Sequence, residues 1–380
     1  MTPFTFATTP SIVFGAGAIG RLGELAAGRL GPRVLLVTDA GLVEAGLVAP
    51  AIAALEAAGT SVALYTGVVA DPPESVVEAA AAAVRAHSAS GVVGLGGGSS
   101  LDVAKVAALL AGSGEALARA YGVGNAEGPR LPLVLVPTTA GTGSEVTPIS
   151  IVTTGAHTKM GVVSPLLLPD VAILDPDLTL GLPAPVTAAT GVDAMVHAIE
   201  AFTSASPNAN PVSKALAREA LRMLGGAIVA ACRDGSDREA RGAMLMGSML
   251  AGQAFANSPV AAVHALAYPL GGHFGIPHGL SNALVLTQVM RFNLPAAREA
   301  YATLAPDVFP GCPKDAEALI ARLEALCAEI GLARRLRDVG VPEDALPRLA
   351  EDAMKQTRLL VNNPREVTLA DTLAIYEAAW

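Results

Sequence analysis

The sequence predicts an α/β N-terminal domain built on a parallel sheet, followed by an all-helical C-terminal domain. Short apolar runs alternate with alanine-rich amphipathic stretches through the first half, and strand signals stop after Leu182. The chain has 380 residues, more than one hydrophobic core usually organises, so two domains are expected.

The runs Val34–Val37, Val62–Leu64, Val92–Leu95 and Leu133–Val136 read as buried strands. Between them Leu42–Ala58, Ser75–His87 and Leu101–Leu110 read as helices. Strands that are apolar on both faces, each followed by a helix, are what a parallel sheet covered on both sides requires. Beyond Leu182 the helical patterns Ala184–Ala201, Pro211–Ala231, Ser236–Ala256, Ala316–Ile330 and Pro342–Lys355 dominate. The two prolines of Gly181-Leu182-Pro183-Ala184-Pro185 interrupt structure and pre-set a helix start, which places the boundary between 1–181 and 182–380.

Composition excludes several functions. With 52% hydrophobic and 16% charged residues the chain folds rather than staying disordered. Its net charge is −9, and no stretch clusters Lys and Arg, so nucleic acid is not an expected partner. Mean hydropathy is high at +0.49, and no Asp, Glu, Lys or Arg lies between Arg241 and Arg291. Pro259, Pro269, Pro277 and three histidines interrupt that segment, so it reads as buried core and not as a membrane span. The start MTPFTFATTP has neither a basic region nor an apolar one, and Cys232, Cys312 and Cys327 form no zinc or redox motif. A reducing cytoplasm is the expected compartment, with the cysteines as free thiols.

Three glycine-rich turns compete for a phosphate. Gly15-Ala16-Gly17-Ala18-Ile19-Gly20 fits GxGxxG literally, and Asp39 lies nineteen positions beyond it. A plain turn before the Arg21–Leu30 helix explains it equally well. Gly96-Gly97-Gly98-Ser99 directly follows a buried strand and opens a helix, where backbone amides and the helix dipole favour a pyrophosphate. Pro137–Glu145 also follows a strand and offers hydroxyls at an adjacent strand end. Neither turn has the lysine of a P-loop, so a nucleoside triphosphate is not indicated.

Asp193 and His197 are four residues apart in a helical pattern and share one face. His264, His273 and His278 lie in the uncharged stretch, where unpaired burial is costly. Three imidazoles and one carboxylate converging on a divalent cation would satisfy them, with ligands suited to iron or zinc. Independent core histidines bonded to the backbone are the alternative. His87 and His157 lie in polar surroundings and read as surface residues.

Four motifs taken together resemble the iron-containing (group III) alcohol dehydrogenase family over essentially the whole chain. They are GGGSSLDVAK from Gly96, PTTAGTGSEVT from Pro137, GVDAMVHAIE from Gly191 and HALAYPLGGHFGIPHGLSN from His264. The resemblance implies a dehydroquinate synthase-like architecture: a dinucleotide-binding domain over 1–181, a helical metal-binding and catalytic domain over 182–380, and a catalytic cleft between them. A homodimer or larger homo-oligomer is also implied. The metal ligands would be Asp193, His197, His264 and His278, holding Fe(II) or alternatively Zn(II). The cofactor would lie on Gly96, Gly97, Gly98, Ser99 and Asp102, with Thr138, Thr139, Thr142 and Ser144 around it and Lys159 at a ribose. The turn at Gly15–Gly20 is then demoted.

Asp39 would accept hydrogen bonds from the adenosine ribose and repel a 2′-phosphate, which favours NAD over NADP. Many family members carry a second histidine where this chain has Tyr268, so Tyr268 or His273 is left to handle the proton, beside His264 and His278. Phe255 is a candidate lining residue of the substrate pocket. The implied reaction is reversible hydride transfer between NAD(H) and a small alcohol or aldehyde. A hydroxyacid dehydrogenase, a maleylacetate reductase-like enzyme and a non-redox dehydroquinate synthase-like enzyme are the alternatives.

Overall fold

The computed structural model describes residues 3–155 and 158–380, and His157 lies outside the described residues. Two compact units divide the chain. One comprises Ala7–Thr139 and Gly143–Thr179; the other comprises Leu180–Trp380 with Met1–Phe6 and Ala140–Thr142.

The first unit opens with β1 (Ile12–Phe14), α1 (Leu22–Leu30), β2 (Arg33–Val37), α2 (Ala40–Glu44) and α3 (Ala49–Ala57). It continues through β3 (Ser61–Tyr65), α4 (Glu74–Ala86), β4 (Gly91–Gly96), α5 (Gly98–Ser113), α6 (Leu117–Ala120), β5 (Gly122–Val123) and β6 (Leu133–Pro137). After β7 (Ile149–Thr154) and β8 (Thr158–Val163) it ends on β9 (Val171–Leu174). A six-stranded, wholly parallel sheet runs in the order β1-β9-β6-β4-β2-β3. Helix-covered cores lie on it: Leu35, Val92, Leu133 and Leu135 pack with α4 and α5, and Leu36, Val93, Val134 and Val136 with α1 and α3. Burial on both faces accounts for the unbroken apolar runs of β2, β4 and β6.

The single helix expected over Leu42–Ala58 is two. Gly46, at φ +75°, ends α2 in a Schellman turn, with Leu47 N bonded to Leu42 O and Gly46 N to Val43 O; Pro50 then opens α3. A second sheet, β5-β8-β7, contains the antiparallel pair β7/β8. These strands mix Ser and Thr with half-exposed apolar residues and lack the run that marks a buried strand.

The second unit is helical: α7 (Ala184–Thr203), α8 (Pro211–Arg233), α9 (Arg238–Asn257), α10 (Ala262–Phe274), α11 (His278–Val308), α12 (Ala316–Glu329), α13 (Leu346–Met354), α14 (Thr357–Leu360) and α15 (Leu369–Ala379). The uncharged segment 242–290 supplies most of α9, all of α10 and the start of α11. No helix among the described residues is long and apolar enough to cross a membrane. Cys327 is buried and Cys232 and Cys312 are half-buried, all as free thiols.

Candidate metal centre and nucleotide turns

Three helices of the second unit bring the histidine constellation together. Asp193 and His197 stand one turn apart on α7 and are both buried. Helix α10 ends at Gly275 in the left-handed region (φ +65°), and Pro277 caps α11 two residues later, so this short connection sets His278 near His264. The approach of α11 to α7 depends on Gly279. A Cβ there would stand 2.3 Å from the Ala189 carbonyl oxygen.

The donor atoms converge on Asp193 Oδ1: His197 Nε2 lies at 3.9 Å and His264 Nε2 and His278 Nε2 at 3.7 Å. Ligand atoms of Asp193, His264 and His278 all lie within 4.8 Å of one another. The rings stack in series, Phe255 on His197 at 4.3 Å between centroids and His197 on His264 at 4.7 Å.

Hydrogen bonds behind the rings settle their tautomers. The Glu200 carboxylate accepts from His264 Nδ1 at 2.6 Å and also from the amides of Ala261 and Val263. The Gly141 carbonyl accepts from His197 Nδ1 at 3.2 Å. Carboxylate and carbonyl oxygens only accept, so Nδ1 carries a proton in both rings and Nε2 is the nitrogen that faces Asp193. Burial, offset in part by Asp193, pushes His197 down to about 3, and its ring is neutral.

Asn282 tests whether a cation fits. Its single Nδ2 donates to Asp193 Oδ1 at 2.6 Å and lies 3.3 Å from both His264 Nε2 and His278 Nε2. One amide nitrogen within 3.3 Å of all three atoms shows that they surround a common place. That pose leaves Asn282 Oδ1 buried without a hydrogen-bond partner among the described residues, so the electron-rich centre claims the amide hydrogens at that cost. Three imidazole nitrogens and a carboxylate are a donor set for a divalent transition metal. The His278 side chain is 40% exposed, whereas that of Asp193 is 3% exposed.

Tyr268 and His273 part company on α10. Tyr268 lies about 40° round the helix from His264, and its ring centroid is 5.8 Å from that of His278. His273 lies about 180° round from His264 and meets Asp352 of α13, Nε2 to Oδ2 at 2.5 Å.

In the first unit the chain passes from β2 to β3 on one side and to β4 on the other, so the strand order reverses between β2 and β4. A crevice at such a switch point is where open α/β sheets take ligands. Asp39 lies two residues beyond β2, Gly96–Ser99 lead from β4 into α5, and Thr138 and Thr139 follow β6. Gly96 has φ +151°, and a Cβ on it would stand 2.7 Å from Ser100 Cβ. Gly97 precedes helix α5, which has no side-chain cap among the described residues, and a Cβ on Gly97 would stand 3.6 Å from Thr139 Cγ2. Asp39 also caps α2, accepting from Leu42 N at 3.1 Å. By contrast the turn at Gly15–Gly20 is filled from within, since the Asp175 carboxylate accepts from Gly17 N at 3.1 Å and Ile19 N at 3.0 Å.

Asp102, Ser144 and Lys159, all read as cofactor contacts, make hydrogen bonds within the first unit. Asp102 accepts from Ser144 Oγ at 2.5 Å and from Ile151 N at 2.8 Å. Lys159 donates to Thr153 Oγ1 and pairs with Asp71 at 2.5 Å. Thr142 belongs to the helical unit, next to the Gly141 carbonyl that orients His197. His87 is half-buried, with Nε2 3.2 Å from the Ser61 carbonyl oxygen.

Sequence reasoning missed Glu200, Asn282 and the Gly141 carbonyl as parts of this centre. The first two were open to it, because Glu200 continues the face of Asp193 and His197 at i+7, and Asn282 follows His278 at i+4. A main-chain oxygen brought in from position 141 leaves no signal.

Comparison with known proteins agrees with this geometry. The family description "Iron-containing alcohol dehydrogenase" matches residues 9–176, and "Fe-containing alcohol dehydrogenase family, C-terminal" matches residues 187–380. Long-chain-alcohol dehydrogenase 1 of Geobacillus thermodenitrificans is 44% identical over 93% of this chain and 91% of its own. 1,3-Propanediol dehydrogenase of Klebsiella pneumoniae is 38% identical over 97% and 96%. The crystal structure of a 1,3-propanediol oxidoreductase superposes with a TM-score of 0.95 at 38% identity over 100% of both chains. Sulfoacetaldehyde reductase from Bifidobacterium kashiwanohense, in complex with NAD+, gives 0.90 at 31% identity over 100% of this chain and 99% of its own. By motif, fold and relatives, the chain belongs to the iron-containing alcohol dehydrogenase family.

Proposed function

We propose that the protein is a metal-dependent, NAD(H)-linked alcohol dehydrogenase and aldehyde reductase acting on a small alcohol or aldehyde. The oxidoreductase class follows from family membership. One observation carries the metal dependence: Glu200 and Gly141 lock two Nδ1 protons, so that two Nε2 atoms face Asp193.

Asp193, His197, His264 and His278 would hold the cation, with Fe(II) first and Zn(II) as the alternative. When bound, the cation supplies Lewis acidity toward the substrate oxygen and the nicotinamide supplies hydride exchange. The chain's own residues do the rest. Phe255 braces the His197 ring, and the exposed edge of His278 leaves a side open to substrate. Tyr268, on the same side of α10 as His264, offers a hydroxyl for proton exchange. His273 is the second candidate; its bond to Asp352 favours Tyr268. If so, Tyr268→Phe moves the pH profile of kcat and His273→Gln does not.

The α/β unit takes the dinucleotide. The uncapped start of α5 supports pyrophosphate binding at Gly96–Ser99, and Asp39 at the switch point supports a free 2′-hydroxyl, hence NAD over NADP. The NAD+ complex of a relative supports the same cofactor. The cytoplasm and a homodimer or larger homo-oligomer complete the reading, on the resemblance and the free thiols.

The test is reconstitution. Protein stripped of metal is given Fe(II) or Zn(II) anaerobically, and NADH is followed against alcohols, aldehydes and hydroxyacids. Metal-dependent, stoichiometric NADH change is expected. Turnover indifferent to metal would point to a maleylacetate reductase-like enzyme, and no net redox change to a dehydroquinate synthase-like one.

A further inference from the structure

Lys105 has 0% exposure, and its charge acts only through the groups it touches. Its ammonium has three hydrogens and three acceptors: Ser144 Oγ at 2.7 Å, the Ile149 carbonyl at 2.8 Å and Thr147 Oγ1 at 3.2 Å. All three lie on the segment that follows the threonine turn. That segment is tied back to α5 one turn earlier. Ser144 Oγ donates to Asp102 Oδ1 at 2.5 Å, Ile151 N donates to Asp102 Oδ2 at 2.8 Å, and Ser150 Oγ donates to the Asp102 carbonyl at 3.1 Å. Asp102 and Lys105 are thus two pins from the first turns of one helix into one loop.

The loop and the helix start are the surfaces a dinucleotide would use. Gly97 caps α5, and a Cβ on it would stand 3.6 Å from Thr139 Cγ2 and 3.7 Å from its Oγ1, so the glycine turn and the threonine turn lie side by side. Glu145, also buried, has Oε1 without a hydrogen-bond partner among the described residues. The Lys105 charge is what offsets both Asp102 and Glu145 in this interior.

We propose that Lys105 is a positioning residue for the nicotinamide cofactor, and that Asp102 and Ser144 work with it as an internal brace instead of touching the cofactor. The proposal rests on the cofactor reading above. The brace holds residues 144–151 against α5, so the glycine and threonine turns present one fixed surface before any ligand arrives. Pre-organisation of this kind lowers the ordering cost of binding.

The experiment combines NADH affinity by fluorescence titration with hydrogen exchange of the cofactor-free chain. The variants are Lys105→Met, Asp102→Asn and the double variant, which removes both charges and guards against unfolding from a lone buried carboxylate. Each single change is expected to weaken NADH binding about tenfold or more, as loss of a charge-assisted hydrogen bond does. The double variant should match the worse single, because one network is broken once. Amides of 144–151 should exchange faster in every variant without cofactor, while metal affinity of the helical unit stays within about twofold. Additive losses with unchanged exchange would overturn the proposal and make Asp102 a direct contact; unchanged NADH affinity would overturn it outright. If the unaltered chain binds no NADH, the cofactor reading and this role fall together, and the exchange data still report whether the brace itself exists.

Discussion

Glu200 on α7 accepts a hydrogen bond from His264 Nδ1 on α10 at 2.6 Å, while the same carboxylate receives the Ala261 and Val263 amides at the start of α10. One buried side chain therefore serves as the missing cap of a helix and as the orienting partner of an imidazole in the candidate metal centre. Glu200→Gln removes the charge and disturbs both roles. Metal affinity should fall about 10–100-fold, measured by competition with a chromogenic chelator, while NADH affinity is unchanged. Unaltered metal affinity would remove Glu200 from the centre.

Gly279 sets the distance between α7 and α11. In Gly279→Ala the new Cβ meets the Ala189 carbonyl oxygen at 2.3 Å and its carbon at 2.7 Å, and backbone has to shift. A loss of about 1–3 kcal/mol in urea denaturation is expected, together with weaker metal binding as His278 and Asn282 move with α11. Gly226 of α8, with nothing within 4 Å of its built Cβ, is the control. Gly226→Ala should raise stability by about 0.5–1 kcal/mol.

Asp39 caps α2, and substitutions can separate that role from the proposed one at the cofactor ribose. Asp39→Ser keeps an oxygen for Leu42 N and loses the charge, so stability should hold while the preference for NAD over NADP relaxes. Asp39→Ala loses the cap too, at about 0.5–2 kcal/mol. Kinetics with both cofactors, beside thermal denaturation, read the two effects independently. An unchanged cofactor ratio in Asp39→Ser would detach Asp39 from the ribose.

Burial, opposed by the Lys105 charge and a backbone hydrogen bond, pushes the Glu145 carboxyl up to about 7 from its ordinary 4.5. Between those values the fold retains a proton that the unfolded chain has released, so this group makes stability fall as pH rises. Burial pushes Lys105 down to about 8 from 10.5, against the pull of Asp102 and Glu145. Between those values the unfolded chain retains the proton that the fold has lost, and stability rises with pH. Glu145→Gln should abolish the lower-pH fall, so its advantage over the unaltered chain should widen from about pH 5 to about pH 7.5 in urea denaturation. A constant gap would show that Glu145 ionises in the fold as it does in the open chain.

Much of this protein was legible in the linear chain, for identifiable reasons. The strands β2, β4 and β6 are buried on both faces, so their apolar runs stand out; the i, i+4 spacing of Asp193 and His197 puts two donors on one helix face whatever that helix packs against. Local chemistry of that sort needs no tertiary knowledge. The β7/β8 pair escaped notice because a half-exposed strand with Ser and Thr lacks a strong periodic signature, and the break at Gly46 because an isolated glycine in a helical pattern is ambiguous until its φ is known.

The sequence by itself determined the kinds of element, the order of the turns and the donor types available to a metal. Tertiary structure alone decided which glycine turn is open, since Asp175, more than 150 residues away in sequence, fills the amides of Gly17 and Ile19 and leaves the start of α5 uncapped. It also decided which histidines act together. Whether a ring nitrogen presents a lone pair depends on an acceptor behind it, and for His197 and His264 that acceptor comes from Gly141 and Glu200, residues 56 and 64 positions distant. Hydrogen-bond partners so far apart are chosen by packing, which no local pattern encodes.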